Sequence, residues 1–243
     1  MKFKIVSLFV LCAILISCGT SRQGGKKQRK GTKAQVVLTP EQQRKYDYFF
    51  LEASRLKMKD DYSAAFDLLQ HCLTINPNAS SALYEISQYY MYLKQVPQGQ
   101  AALEKAVEND PDNYWYSQGL ASLYQQQNEM QKATNLLENM ATRFSDRMDP
   151  LYSLLDIYNR LEEYDNVITT LNRLEEKMGK NEQLSMEKFR IYLQKKDNQS
   201  AFREIESLVE EYPMDMRYQV ILGDVYMQND KKDEAYNLSL IHI

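Results

Sequence analysis

The sequence predicts an all-α protein built as a solenoid of stacked helical hairpins, about five complete and a sixth cut short. Three observations carry that prediction. Glycine and proline number only 8 and 6 in 243 residues, with helix-forming side chains abundant. β-branched residues are scarce, which disfavours a large sheet. The third is a period of 34 residues: Tyr90, Tyr124, Tyr158, Tyr192 and Tyr226 fall in one register. Pro77, Pro111, Ser145, Gly179 and Pro213 fall in a second, and Ala65, Gly99, Ala133, Val167, Ala201 and Ala235 in a third. Leu69, Leu103, Leu137, Leu171 and Ile205 make a fourth, with no insertion anywhere between them. Self-similarity at a fixed period is the mark of a repeat architecture.

The first seventeen residues, MKFKIVSLFVLCAILIS, place Lys2 and Lys4 before an apolar run from Ile5 to Ile16. That run is short for a membrane span and reads as an export signal over 1–17. Residues 18–38 follow as a flexible basic tether; Gly19 to Val37 alone holds four Gly and six Lys or Arg. As a coil of 19 residues it would reach roughly 25 Å on average. Its KKQRK run suits either a solvated spacer or contact with anionic headgroups.

The repeat array is expected over 39–237. Thr39-Pro40-Glu41-Gln42 supplies a capping hydroxyl, a proline at the first helical position and a glutamine three residues after the cap, so the first helix should begin there. The units run 46–79, 80–113, 114–147, 148–181, 182–215 and 216–237. The pattern is plainest in 80–113. Leu83, Ile86, Ser87 and Tyr90 share one face of a first helix, and Gln95-Val96-Pro97 interrupts it. Gly99, Leu103, Ala106 and Val107 form the apolar face of a second helix, which Asp110-Pro111-Asp112 ends. A small residue at position 99 lets the two axes approach.

These residues resemble the tetratricopeptide repeat (TPR), a 34-residue helical hairpin that stacks into a right-handed solenoid. Unit 46–79 carries the pattern with Phe49, Ala53, Leu56, Ala65, Leu69, Cys72 and Pro77, and unit 114–147 with Leu120, Ala121, Tyr124, Ala133, Leu137 and Met140. Units 148–181 and 182–215 depart from it: Leu155 and Phe189 replace a small residue, and Leu174 and Leu208 replace an alanine. The sixth unit starts in register with Leu222, Gly223, Tyr226 and Ala235.

A second resemblance concerns the N-terminus. Leu15-Ile16-Ser17-Cys18 is similar to the lipobox of bacterial lipoproteins, which implies cleavage before Cys18 and lipidation of its thiol. Two or three acyl chains would make a stable membrane anchor. Together the two resemblances point to TPR lipoproteins of diderm bacteria. They imply an outer-membrane lipoprotein, facing the periplasm, that serves as adaptor or assembly scaffold in the cell envelope. With Cys12 in the signal and Cys18 lipidated, Cys72 stands alone and no intrachain disulfide is expected.

The resemblance also implies where partners would bind. In such proteins the first helix of each unit lines a concave groove. The register places Phe50 and Ser54 there, then Tyr84, Gln88 and Tyr92, then Trp115, Gln118 and Ser122. Tyr152, Asp156 and Asn159 follow, then Met186 and Arg190, then Val220 and Asp224. Aromatics interleaved with amides and hydroxyls suit a protein or an extended peptide, the same rings also serving to wedge neighbouring helices apart. A carboxylate clamp of Lys and Asn, known in some members, has no counterpart at Phe50, Ser54, Tyr84, Gln88, Gln118 or Ser122.

Other function classes find little support. The chain carries 30 basic and 33 acidic side chains, but eight of the basic and none of the acidic lie in residues 1–40. The repeat array is therefore acidic, and nucleic acid is not an expected partner. The histidines are His71 and His242 alone. His71 and Cys72 are neighbours that would point about 100° apart on a helix, and Cys72 sits at a packing position. Doublets such as Asp60-Asp61, Glu162-Glu163, Glu175-Glu176 and Glu210-Glu211 splay rather than converge. No catalytic residue, metal, cofactor or small-molecule substrate is expected.

The last six residues, LSLIHI (238–243), break the register. Packing asks for a large apolar residue at 239 and a small one at 242, where Ser239 and His242 stand. The transposase end sequence CTGTCTCTTATACACATC of sequencing libraries translates to the same six residues. Residues 238–243 are therefore expected to be non-native, and the reading frame truncated. The alternative function that follows is a docking arm of a larger enzyme or receptor whose working domain lies beyond residue 237.

Overall fold

The computed structural model describes residues 37–240, all twelve of whose regular elements are helices. The signal, Cys18, nearly all of the tether and residues 241–243 lie outside the described residues. The helices pair as six hairpins: α1 (Pro40–Lys57) with α2 (Tyr62–Ile75), α3 (Ser80–Tyr92) with α4 (Val96–Asn109), α5 (Tyr114–Gln126) with α6 (Met130–Arg143). The series continues with α7 (Asp149–Arg160) and α8 (Tyr164–Met178), α9 (Glu182–Gln194) and α10 (Asn198–Glu211), then α11 (Met216–Gln228) and α12 (Lys232–Leu240). Each hairpin packs on the next in chain order, the second helix of one against the first of its successor.

Helix α1 begins where its sequence requires. The Gln42 N–H donates to Thr39 Oγ1 at 3.2 Å and the Thr39 N–H to Gln42 Oε1 at 2.9 Å, a reciprocal capping box. Side-chain caps recur at Asp61, Asn113, Asn181, Asp197 and Asp215, so the polar residue before each of these helices satisfies free backbone N–H groups.

The turn inside every hairpin is the same object. Asp60, Lys94, Asn128, Glu162, Lys196 and Asp230, spaced by 34, all adopt positive φ between 56° and 62°. The residue after each donates back five residues, as from Gln95 to Tyr90 O at 2.8 Å and Glu129 to Tyr124 O at 2.8 Å. This is the Schellman ending of a helix, reached here without a single glycine. Between the fourth and fifth hairpins the chain turns differently, at Gly179 with φ 80° and ψ 175°, a conformation essentially confined to glycine.

The registers read from the sequence form the core. Ala65, Ala133, Val167 and Ala201 are fully buried where second helices cross their partners, and Leu69, Leu103, Leu137, Leu171 and Ile205 are buried one turn later. At Gly99 the approach is so close that a Cβ would lie 2.7 Å from Met91 Sδ and 3.1 Å from the Ser87 carbonyl. Leu174 and Leu208, which stand where the first two units have Cys72 and Ala106, are completely buried. Leu238 packs against the last cluster, beside Leu222 and Val225.

Position 188 departs from the apolar rule. Ile86, Leu120, Leu154 and Leu222 share its register and are buried, and so is Lys188, only 4% exposed. Its ammonium sits 2.8 Å from Glu175 Oε2 and 3.0 Å from Glu204 Oε1, tying α8, α9 and α10 together. Burial disfavours its charge, but the two carboxylates outweigh that and hold its pKa above the ordinary lysine value.

Candidate functional site

The faces of α1, α3 and α5 not consumed by packing meet in an open cleft of about 380 Å³. Phe50, Ser81, Tyr84, Glu85, Asn113, Trp115 and Tyr116 line it. Three residues that the register assigns to the groove thus converge on one place, one from each of three successive hairpins. Phe50 lies nearly parallel to Tyr46, ring centroids 5.9 Å apart at 9°. Tyr84 lies against Tyr116, ring centroids 4.8 Å apart and planes tilted by 30°, and covers Gly119, where a Cβ would lie 3.5 Å from its ring. Trp115 is 63% exposed, and Arg147 spans its ring and that of Tyr114 at 5.7 and 4.1 Å.

The local sequence explains each placement. Asn113 caps α5, its Oδ1 accepting from the Trp115 N–H at 3.1 Å and the Tyr116 N–H at 3.4 Å, which fixes the start of the helix that presents both rings. The Tyr46 and Ser81 hydroxyls lie 3.0 Å apart and join α1 to α3 at the cleft edge. Glu85 is engaged by Lys57, Nζ to Oε2 at 2.7 Å, so the cleft's one charged lining residue is paired. Burial first, with Asp110, Tyr46, Glu85 and Tyr84 nearby, raises the Tyr116 pKa and keeps its hydroxyl protonated.

The other groove residues lie apart from this cleft. Gln88 is exposed and donates to Ser87 Oγ at 3.2 Å. Gln118 is half-buried and accepts from the Tyr114 hydroxyl at 3.2 Å, and Ser122 is half-buried on the same helix. Tyr152, 48% exposed, donates to Met178 Sδ at 3.4 Å, toward the end of its own hairpin. Asp156 is exposed and pairs with Arg160 at 3.7 Å. Sequence reasoning missed Ser81, Glu85, Asn113 and Tyr116. Ser81 was legible, since it shares a register with Trp115. Tyr116 was not, since its lining role depends on the Tyr84 ring reaching across from α3.

Cys72 is fully buried, and burial pushes its thiol up to about 11, which agrees with an inert packing residue. His71 is exposed and lies against Phe49, ring centroids 5.6 Å apart.

Comparison with known proteins bears on the fold. The tetratricopeptide repeat family model matches residues 80–113. No curated protein matches the sequence. Among solved structures the chain is similar to a tetratricopeptide repeat protein from Parabacteroides merdae, with TM-score 0.52 and 17% identity over 80% of this chain and 77% of that one. It is also similar to a chain in the structure of Naa15/Naa10 bound to HypK-THB, with TM-score 0.57 and 16% identity over 82% of this chain and 31% of that one. MamA AMB-1 gives TM-score 0.51 and 17% identity over 69% and 92%. The hairpin over 80–113 is a tetratricopeptide repeat, and the described chain is an all-α solenoid of the tetratricopeptide-repeat fold.

Proposed function

We propose that this chain is a protein-binding solenoid of the cell envelope, anchored through lipid on Cys18 and engaging an extended segment of a partner along its first helices. The observation that carries the reading is the cleft. Three residues assigned to the groove from three hairpins, Phe50, Tyr84 and Trp115, converge on an open surface, and Trp115 is 63% exposed with no packing role that requires its size. Large exposed aromatics in a recess are what anchor residues look like at protein interfaces. The address is supported by the sequence alone, through the signal over 1–17 and the basic tether that follows Cys18.

The test uses two exposed positions whose replacement leaves the core intact. Trp115→Ala with Tyr152→Ala should retain helicity and melting temperature while losing crosslinked partners recovered from membranes. An unchanged partner set in the folded double variant sinks the groove assignment. Cys18→Ala tests the anchor separately, since it should move the protein from the membrane to the soluble fraction.

A further inference from the structure

We infer that the cleft between α1, α3 and α5 takes an uncharged, proline-rich segment in the polyproline II conformation, a reading that rests on the peptide-binding function proposed above. Charge comes first. Glu85 is the single ionisable acid or base among the non-phenolic lining residues, and Lys57 already neutralises it at 2.7 Å. An acidic or basic ligand side chain would have to compete with that pair. Charge matching therefore favours a neutral occupant.

Hydrogen-bonding capacity narrows the class. The Ser81 hydroxyl is engaged with Tyr46, and Asn113 Oδ1 is consumed by two backbone N–H groups. Among the described residues nothing partners the Trp115 indole N–H, the Asn113 amide hydrogens, or the Tyr84 and Tyr116 hydroxyls. The first two can only donate, and the hydroxyls can donate too. The cleft thus holds more donors than acceptors: the acceptors left are the two hydroxyl oxygens and the Glu85 carboxylate, whose Oε2 is held by Lys57. An ordinary extended peptide brings as many N–H groups as carbonyls, so its N–H groups would have to share those three side chains. A proline-rich segment brings carbonyls without N–H groups, and its polyproline II form leaves those carbonyls unengaged.

The apolar part of the site fits the same occupant. Phe50 lies near-parallel to Tyr46 at 9°, and Tyr84 leans on Tyr116 at 30°, so the cleft presents ring faces to the flat faces of pyrrolidines. Aromatic-lined grooves take such segments because the ligand is ordered before it binds and loses little entropy. No sheet edge is available among the described elements, so strand addition is not an alternative mode here.

Trp115 is the protein's one tryptophan, so its emission reports on this cleft and nothing else. The full chain in detergent is titrated with decaproline and, in parallel, with equally long Gly-Ser, Lys-containing and Glu-containing peptides. Decaproline should give a saturable emission shift at least tenfold more potent than any of the other three. Phe50→Ala should weaken that response about fivefold with circular dichroism unchanged. Trp115→Phe keeps a ring and removes the indole donor, and should weaken binding of labelled decaproline about tenfold by anisotropy. A response to decaproline no stronger than to Gly-Ser, or a stronger one to the Lys or Glu peptide, overturns the inference. If decaproline is inert while Trp115→Ala with Tyr152→Ala still abolishes partner crosslinks, the proline assignment fails and the protein-binding function stands. If neither assay responds, both fail.

Discussion

The hydroxyl of Tyr124 donates to Glu104 Oε1 at 2.9 Å, and one repeat later the hydroxyl of Tyr158 donates to Glu138 Oε1 at 3.2 Å. The recurring tyrosine therefore does more than fill space above the small residue of the second helix. It crosses from the first helix of one hairpin to the second helix of the hairpin before it. In the outer repeats the same tyrosine meets a ring instead, Tyr90 against Phe66 at 5.4 Å and Tyr226 against Phe202 at 5.1 Å. One register thus fastens the solenoid by hydrogen bonds at its centre and by aromatic edges toward its ends.

Tyr124→Phe removes a donor from a carboxylate that is only half-exposed. Glu104 keeps its bond from Gln100 at 2.9 Å, so the loss is partial and should be about 1–2 kcal/mol. Denaturant titration against the parent checks this, and the same change at Tyr90, which has no carboxylate partner, should cost less.

The central bond also sets an alkaline limit. Burial, then the Glu138 charge beside it, pushes the Tyr158 phenol up to about 12, from an ordinary value of 10.0. Folding favours the protonated phenol, so its contribution is intact below pH about 10 and is lost as pH rises toward 12. Melting temperatures followed across that window should fall less steeply for Tyr158→Phe than for the parent. Equal slopes would show that the phenol does not contribute there.

Lys188 offers a sharper case. Removing one partner of a buried ion cluster leaves uncompensated charge, typically at a cost of about 3–5 kcal/mol. Lys188→Leu, which restores the residue type of this register, should therefore destabilise by about 3 kcal/mol, since Glu175 and Glu204 are left facing an apolar side chain. Adding Glu175→Gln and Glu204→Gln should recover most of the loss in urea melts. A single variant as stable as the parent would show that solvent reaches the two carboxylates freely.

Much of this was legible because a 34-residue period repeats every constraint five or six times. Tyr124, Ala133 and Leu137 could each be assigned to the core from their register partners alone, and all three are buried. Lys188 could not. Its register is apolar in four of the other units, and the sequence does not show that Glu175 and Glu204 converge on it from two different helices. The cleft was half legible for the same reason. Position along a helix named Phe50, Tyr84 and Trp115, but contact across helices decides that Tyr116 lines the site.

The glycine-free turns give an independent handle on stability. A non-glycine residue in the left-handed region costs about 1–2 kcal/mol, and asparagine tolerates it best. Asn128 already occupies one such turn, whereas Lys94 and Glu162 hold φ of 59° and 56° with ordinary side chains. Lys94→Asn and Glu162→Asn should each stabilise by about 0.5 kcal/mol, and Asn128→Val should destabilise by more than 1 kcal/mol. Chemical melts of the three variants suffice, and a loss of stability in both asparagine variants would count against the turn geometry.

Trp115 and Tyr84 line one cleft, yet they should respond differently to truncation. Trp115 is mostly exposed, and its contacts are the edge of Tyr114 at 5.3 Å and the guanidinium of Arg147. Trp115→Ala should change stability by no more than about 0.5 kcal/mol. Tyr84 lies against Tyr116 and is packed over Gly119, joining α3 to α5, so Tyr84→Ala should cost about 1–3 kcal/mol. Urea melts of both variants, read beside partner crosslinking, separate an anchor from a wedge. An anchor loses partners and keeps stability, which is the outcome expected for Trp115, while a wedge loses both. If Trp115→Ala destabilises as much as Tyr84→Ala, its ring is structural, and the assignment of Trp115 as an anchor of the proposed binding surface fails.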